Sequence, residues 1–538
     1  MQPDTVEPET RAGPPRPGGP LALVMVGVAA VLFVAYCLQF PLIFEDAFIF
    51  YRFADSLASG HGLSFNPGTA VEGYTSFAWV LVLAVCRFLV EDLQAVAPWV
   101  SLAAGLATLL CAFQLARTIV PNEPRAAAAT VGFVAVNGSL AMYAVSGMET
   151  TLFALLVTLS LLHACRGSED GAHALRGDLV FAGVLLLTAL TRPEGVGYAG
   201  LCTLGAVPRR GWQRAFRAAG MAAAVYAAYF LWRWDYFGHP LPNTYYAKQG
   251  STLGLGLGYV EGYLYGHVGL LGLIGAGIAL WQRRPWAAPV GLVLAGGLVM
   301  AMVVGGDIFP LHRFLVPIVP VAGATTVFLI WATTSRLQAR VRMLARLGLA
   351  LGAGAVVFSA PHVGHPALFG RPPGPPDDWS KLQRNARFTR NYERIASWIN
   401  RSLPADFTLA INAAGVIPYR TRLRTIDMLG LADEHIAHRP VPEGPIALGH
   451  AKSDPDYVLA QRPDVIIPGL PFVVSKPPSE TELMRMWAPV LLPGDRALMD
   501  SPEFHRTYGI VVAQVDAAGF TALFVRRDRI PLLGLGRK

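Results

Sequence analysis

Charge is what this sequence has least of. Asp, Glu, Lys and Arg make up 15% of the 538 residues, against about a quarter in an ordinary soluble domain. Hydrophobic residues make up 53%, and mean hydropathy is +0.42. That balance excludes a water-soluble globule and marks a polytopic membrane protein. Cysteine is scarce as well: Cys37, Cys86, Cys111, Cys165 and Cys202 all lie in apolar segments. They support neither a disulfide framework nor a thiolate metal site, and single buried cysteines usually act as small hydrophobes. No GxxxxGK[ST] loop, no GxGxxG after a strand and no HExxH stands out, so neither a cytosolic nucleotide nor a metal is called for. The net charge of +8 would suggest nucleic acid in a soluble protein. Here the arginines sit in short loops between apolar runs, which makes them a topology signal instead.

What the chain does have is long apolar runs. Residues 1–20 are polar and Pro-rich and read as a disordered cytoplasmic terminus. Leu21 to Gln39 reads as an uncleaved first transmembrane helix, and ten further runs, from 96–119 to 347–363, bring the expected number of spans to about eleven. The segment from Ser76 to Val90 is short enough to span or to lie flat. If it lies flat, the loops around Arg209, Arg283 and Arg336 share one face, which is then cytoplasmic. We therefore read 76–90 as a juxtamembrane amphipathic helix inside a first external loop of about 44–95.

This topology gathers the ionisable motifs on the outer surface: Glu45 and Asp46 in FEDAF, Glu149 in SGMET, Arg192 and Glu194 in TRPEG, Asn243 to Lys248 in NTYYAK, and Asp307, His312 and Arg313 in GGDIFPLHR. Ionisable groups at membrane depth are costly and default to function. Their convergence on one side suits an enzyme working at the external interface, whereas a transporter should also carry such groups near the midplane. Residues 21–364 form the membrane domain. Residues 365–538 begin with a linker, FGRPPGPPDDW. They continue through a helix expected over Asn391 to Arg401 and short apolar strands (FTLAINAAGVIPY, PDVIIPGL, GIVVAQV, FTALFVRRD). This is a soluble mixed α/β domain outside the membrane.

FEDAF with YRFADSLASGHGLSFNPG and VEGYTSF, then SGMET, TRPEG, LPNTYYAK, GGDIFPLHRF, IDMLGLADEHIA and GHAKSDPDYVL, together resemble the GT-C class of multipass glycosyltransferases. Within that class the chain is similar to the bacterial group around the mycobacterial terminal arabinofuranosyltransferase. The resemblance implies a many-helix membrane fold with juxtamembrane helices and a C-terminal periplasmic domain, placed in the bacterial plasma membrane. It also implies a polyprenyl-phosphate sugar donor and a cell-envelope glycan acceptor.

By that resemblance the acidic residue just after the first helix is a general base. Asp46 takes this role, with Glu45 standing where relatives commonly have a second Asp. A carboxylate suits the task because it must accept the acceptor's hydroxyl proton within hydrogen-bond reach. Outside this context the pair would read as a solvated helix end. The departing phosphate needs positive partners, for which Arg52, Arg192, Lys248, His312 and Arg313 are candidates. Interfacial snorkelling is the alternative for Arg52 and Arg313. Glu149, Glu194, Asn243, Tyr245, Tyr246 and Asp307 are candidate substrate-binding residues. Against them stand a helix-dipole role for Glu149, pairing of Arg192 with Glu194, aromatic belt anchoring for the tyrosines, and a helix-ending turn at Asp307. His61 reads as a loop histidine, and the Gly254–Gly266 run as a flexible amphipathic segment. Trp379, Trp398, Tyr419 and Trp487 are either glycan platforms or core. No cofactor is required, although outward-facing carboxylates could hold a divalent cation. Readings from other classes are a lipid-linked sugar translocase or transporter and a non-catalytic envelope assembly factor.

Overall fold

A computed structural model describes residues 20–40, 43–167, 174–249, 253–267, 269–359, 378–441 and 451–533. The N-terminal segment expected to be disordered and most of the expected linker lie outside the described residues.

The first two-thirds of the chain is helical. The helices are α1 (Pro20–Cys37), α2 (Ala47–Ala58), α3 (Phe77–Leu89), α4 (Leu93–Ile119), α5 (Pro124–Ala135), α6 (Gly138–Tyr143), α7 (Thr150–Cys165) and α8 (Ala174–Thr191). There follow α9 (Gly195–Arg210), α10 (Trp212–Phe237), α11 (Asn243–Ala247), α12 (Leu253–Gly266), α13 (Gly269–Trp281), α14 (Ala287–Val304), α15 (Val319–Thr334) and α16 (Ala339–Ser359). At least six helical segments among the described residues are long and apolar enough to cross a membrane: α1, α4, α8, α14, α16 and the stretch Arg313–Thr334 that contains α15.

Local chemistry explains several boundaries. The apolar stretch 126–145, one of the ten runs counted above, is broken because Asn137 accepts the backbone N–H of Leu140 at 3.1 Å and so starts α6 as a separate helix. Ser76 caps α3 by accepting the N–H of Trp79. That helix buries Trp79, Val80 and Leu83 and exposes Leu81, Val85, Phe88 and Leu89, a two-faced pattern suited to lipid on one side. The Gly254–Gly266 run, expected as a flexible segment, is instead the helix α12. It packs on α14 so closely that a Cβ at Gly256 would meet the Met302 carbonyl oxygen.

The C-terminal part opens with α17 (Asp378–Ser402), much longer than the expected helix because Leu382, Tyr392, Ile395, Ala396 and Ile399 keep an apolar stripe along it. Then come β1 (Thr408–Ile411), α18 (Val416–Thr421), β2 (Arg424–Asp427), α19 (Glu434–Ala437), α20 (Pro455–Ala460), β3 (Val465–Ile467), α21 (Glu480–Trp487), α22 (Pro493–Asp500), α23 (Pro502–Thr507), β4 (Tyr508–Asp516) and β5 (Gly519–Arg526). The sheet order is β2-β1-β3-β5-β4, with β1 parallel to β2 and β3, and β5 antiparallel to β3 and β4.

Period-two alternation divides the sheet's side chains. Leu409, Ile411, Val465, Ile467, Leu523 and Val525 join a core that runs through α17 into the membrane helices. Ala410, Ile426, Ile466, Ala522 and Phe524 form a second core with α20 to α23. Trp398, Tyr419 and Trp487 are buried in these cores, which decides against glycan platforms for them, and Trp379 meets Phe40 edge to face at 5.6 Å. The C-terminal domain is thus packed onto the segment that follows α1, through Phe48 and Tyr51 on α2 against Tyr419 on α18.

Candidate active site

The segment after α1 separates the two adjacent acids. The Glu45 carboxylate accepts the backbone N–H groups of Gly415 at 2.5 Å and Val416 at 3.2 Å, at the start of α18. Enclosure and the like charge of Asp46 raise its pKa to about 8, against the lowering effect of those two donors. Asp46 begins α2 with no side-chain capping bond and is half-buried. Among the described residues its carboxylate has no hydrogen-bond or ion-pair partner. A half-buried carboxylate at the start of α2 that is left unpartnered is available to accept a proton from a ligand.

Arg52 follows one to two turns later but faces the C-terminal domain. It donates from Nε to the Phe65 carbonyl (2.6 Å), from one terminal nitrogen to the Pro418 carbonyl (2.5 Å) and Thr425 hydroxyl (3.5 Å), and from the other to the Asn66 side chain (3.1 Å) and the Leu423 carbonyl (2.8 Å). All five donors are used, and the guanidinium lies over the Phe65 ring at 4.2 Å. In this arrangement Arg52 ties two parts of the chain together and has no donor left for a phosphate.

SGMET, TRPEG and GGDIFPLHR meet in one buried ionic cluster. Arg192 pairs with Glu149 and with Glu194 (3.2 Å), and Arg313 pairs with Asp307 (2.5 Å). The Arg313 guanidinium lies over Phe309 and Phe314, and that of Arg192 over Phe314. Three carboxylates face two guanidiniums, and Glu149 Oε2 has no hydrogen-bond partner among the described residues. The space enclosed beside Arg192, Glu194 and Arg313 is about 10 Å3, room for one water at most. Asp307 follows Gly305 and Gly306, both in the left-handed region, and a Cβ at Gly306 would collide with the Tyr259 ring. His312 contacts His267 at 3.2 Å, Nδ1 to Nε2. The cluster adjoins the Asp46 segment through Phe309, whose ring meets Phe44 edge to face at 5.3 Å.

NTYYAK forms α11 and docks on the C-terminal domain. Asn243 donates to the carbonyls of Gly430 (2.7 Å) and Leu431 (3.0 Å). Tyr246 lies against the His438 ring at 4.3 Å, while Tyr245 and Lys248 are exposed. Lys248 has no hydrogen-bond or ion-pair partner among the described residues. His61 is exposed.

Sequence reasoning did not single out Asp427 or Glu72. Asp427 is fully buried at the end of β2, accepts the N–H groups of Leu429 (3.0 Å) and Ala432 (2.8 Å), and so shapes the loop on which Asn243 docks. Burial raises its pKa to about 7. Glu72 is paired with Arg233 at 2.7 Å. The only signal for either was membership of the motifs IDMLGLADEHIA and VEGYTSF. Among the described residues no three His, Cys, Asp or Glu side chains are placed together to hold a metal ion.

The fold is similar to that of the membrane enzyme ArnT. ArnT from Cupriavidus metallidurans in the apo state matches with a TM-score of 0.56 at 14% identity, over 94% of this chain and 97% of that one. ArnT bound to undecaprenyl phosphate matches with the same score, over 94% and 98%. In sequence the chain is similar to the terminal β-(1→2)-arabinofuranosyltransferase of Corynebacterium glutamicum, at 28% identity over 331 residues, 51% of this chain and 47% of the relative. The enzyme of the same name from Mycobacterium tuberculosis is 28% identical over 287 residues, 50% and 43% respectively. The chain thus spans about half the length of the curated relatives it matches. Residues 381–528 match a domain of unknown function (DUF8728). The named relatives and the fold neighbour are glycosyltransferases.

Proposed function

We propose that this chain is an inverting membrane glycosyltransferase. It moves a sugar, arabinofuranose by analogy with its relatives, from a polyprenyl-phosphate donor to an extracytoplasmic cell-envelope glycan. The observation that carries the reading is the contrast between the two adjacent acids: Glu45 is bound to Gly415 and Val416, and Asp46 is left unpartnered. Asp46 accepts the proton of an acceptor hydroxyl as its oxygen attacks the anomeric carbon. The bond from that carbon to the phosphate oxygen breaks, and polyprenyl phosphate leaves with the electron pair. One displacement inverts the anomeric centre, and no covalent enzyme intermediate forms.

Negative charge grows on the phosphate as that bond breaks, so a cation with spare donors favours the transition state. Lys248, exposed at the end of α11, is a candidate cation with no hydrogen-bond or ion-pair partner among the described residues. Arg192 and Arg313 hold Glu149, Glu194 and Asp307 in place and frame the site. Arg52 fixes the C-terminal domain over the segment that carries Asp46. No step in this reading is routed through a metal or cofactor. The orientation has the Asp46 end of α1 and the C-terminal domain outside the plasma membrane.

Membranes containing wild type or Asp46→Ala are supplied with radiolabelled polyprenyl-phosphate arabinofuranose, and in parallel with the mannose donor. Label entering envelope glycan with wild type, and lost in a stably inserted variant, is the expected result. Full transfer by the variant removes Asp46 from catalysis. No transfer by wild type from either donor favours a lipid-linked sugar translocase.

A further inference from the structure

Helix α17 carries its positive charge in two settings. In its second half Arg394 pairs with Asp516 at 2.5 Å and Arg401 donates to the Val515 carbonyl at 2.9 Å, so β4 covers that side. In its first half Arg384, Arg387 and Arg390 recur every three residues and therefore share one side of the helix. All three are exposed, and among the described residues none has a hydrogen-bond or ion-pair partner. The acids nearest to them on α17 and β4 are already matched: Asp378 holds Lys381 at 2.9 Å, Glu393 holds Arg420 at 3.1 Å, and Asp516 holds Arg394. The stripe is a positive patch without internal counterions, and its field favours an anionic partner.

Exposed arginines are ordinarily left to solvent, and it is height above the bilayer that sets these apart. The 18 residues of α1 rise about 27 Å at ~1.5 Å per residue, close to the roughly 30 Å of a hydrocarbon core. Phe40, just past that helix, meets Trp379 edge to face at 5.6 Å, and Thr389 donates to the Ile43 carbonyl at 3.5 Å. The first half of α17 thus lies along the chain where it leaves the membrane, and its indole stands at the level where tryptophans gather at interfaces. Arg384 is about 8 Å along the helix from Trp379, and Arg390 about 16 Å. The headgroup layer is roughly 5–8 Å deep on each side, arginine stems bend back toward it, and charge is felt over a Debye length of about 8–10 Å. All three guanidiniums are therefore within electrostatic reach of lipid phosphates.

We infer that the first half of α17 docks on anionic phospholipid headgroups through Arg384, Arg387 and Arg390. The inference stands whether or not the chain transfers a sugar. For the test, the full-length chain is placed in phosphatidylcholine nanodiscs. These are doped either with phosphatidylglycerol carrying a photo-crosslinker in its headgroup or with phosphatidylcholine carrying the same group. After irradiation, mass spectrometry of chymotryptic peptides measures the label on residues 380–392. Wild type is compared with the single variants Arg384→Gln, Arg387→Gln and Arg390→Gln and with the triple variant. A control of equal charge change combines Arg462→Gln, Arg485→Gln and Arg506→Gln, exposed positions beside α20 and on α21 and α23, which pack on the other face of the sheet.

In wild type the phosphatidylglycerol probe is expected to label this peptide more than the phosphatidylcholine probe. That label should fall about fivefold for each arginine removed, weaken in high salt and stay unchanged in the control. Melting temperatures within about 1 °C of wild type show that the variants are folded, and the single variants carry the comparison if the triple variant is not. Equal labelling by the two lipids, or undiminished label in the arginine variants, overturns the docking surface. Loss of the label to inorganic phosphate, at an ionic strength matched with chloride, also overturns it and shows a site for a free anion instead.

Discussion

The Glu45 carboxylate accepts the Gly415 N–H at 2.5 Å across 370 residues of sequence. This contact assigns different tasks to two side chains that stand next to each other in the chain. Glu45 secures the C-terminal domain, and Asp46 remains open to a ligand. In kinetics the two should separate. Asp46→Asn is expected to cut transfer about 10²- to 10⁴-fold, the usual contribution of a general base. Glu45→Gln keeps an oxygen for the Gly415 N–H and should stay within about tenfold of wild type. Rates measured at saturating donor in matched membranes decide. Equal losses in both variants would mean that the pair acts together.

The same pair makes stability depend on pH. Glu45 has a pKa of about 8 in the folded chain, above the ordinary carboxylate value of 4.5, so folding favours its protonated form. Its contribution is present at low pH and is lost as pH rises through about 8. The melting temperature of purified wild type is expected to fall between pH 6 and pH 9, by about 2 °C or more from this group. Glu45→Gln, with no proton to lose, should flatten that part of the curve. An unchanged slope would place the charge-sensitive group elsewhere, with Asp427 the next to test.

Gly415 leaves no room for a side chain. A Cβ there would lie 2.1 Å from the Glu45 carbonyl oxygen and 2.6 Å from its carboxylate. Gly415→Ala should therefore push Glu45 off α18 and loosen the domain contact, with an expected cost of about 1–3 kcal/mol for overpacking. Limited proteolysis between the membrane helices and β1 gives the readout. Cleavage at the wild-type rate would show that the contact yields without consequence.

Sequence pattern revealed the apolar helices, a helix after Ser76 and four of the five strands, because each carries several residues of periodic burial. It did not reveal β2, whose four residues are too few to show alternation, or the break before α6, which depends on one asparagine. SGMET, TRPEG and GGDIFPLHR, singled out as separate motifs, do meet in space. What they could not show was partnership. Arg52 looked like a phosphate ligand because of its distance from Asp46 along a helix. The carbonyls that absorb its donors come from Phe65, Pro418 and Leu423, two of them more than 360 residues away, and no local pattern announces them. The choice between platform and core for Trp398, Tyr419 and Trp487 stayed open for the same reason: aromatic type is visible in sequence, and burial in a core built by distant strands is not.

Arg52 itself offers a prediction about architecture. Replacing it with Ala removes five donors and leaves buried carbonyls unpaired, an expected loss of about 3–5 kcal/mol, a large share of the stability of an ordinary domain. Arg52→Lys keeps the charge but not the fork and should recover only part of it. Thermal melting of the three proteins in one detergent is the check. Wild-type stability in Arg52→Ala would mean that the C-terminal domain is held by its apolar contacts alone.

Lys248 and Arg192 are both positive, and both were candidates for the departing phosphate, yet their surroundings predict opposite failures. Lys248 is exposed and unpaired among the described residues, so Lys248→Ala should leave the melting temperature within about 1 °C of wild type, as surface changes usually do. The donor KM should rise about tenfold, the value of one charge-assisted contact, and the penalty should shrink in high salt because exposed charges are screened. Arg192 is buried between Glu149 and Glu194. Arg192→Ala leaves two enclosed carboxylates facing each other and should destabilise by about 3–5 kcal/mol. Arg192→Ala combined with Glu149→Gln and Glu194→Gln removes that repulsion and should recover much of the stability. If the triple variant regains its melting temperature and also transfers at the wild-type rate, the cluster is scaffold. If it folds and stays inactive, at least one of the three side chains takes part in transfer, and the single Glu149→Gln and Glu194→Gln variants say whether it is Arg192.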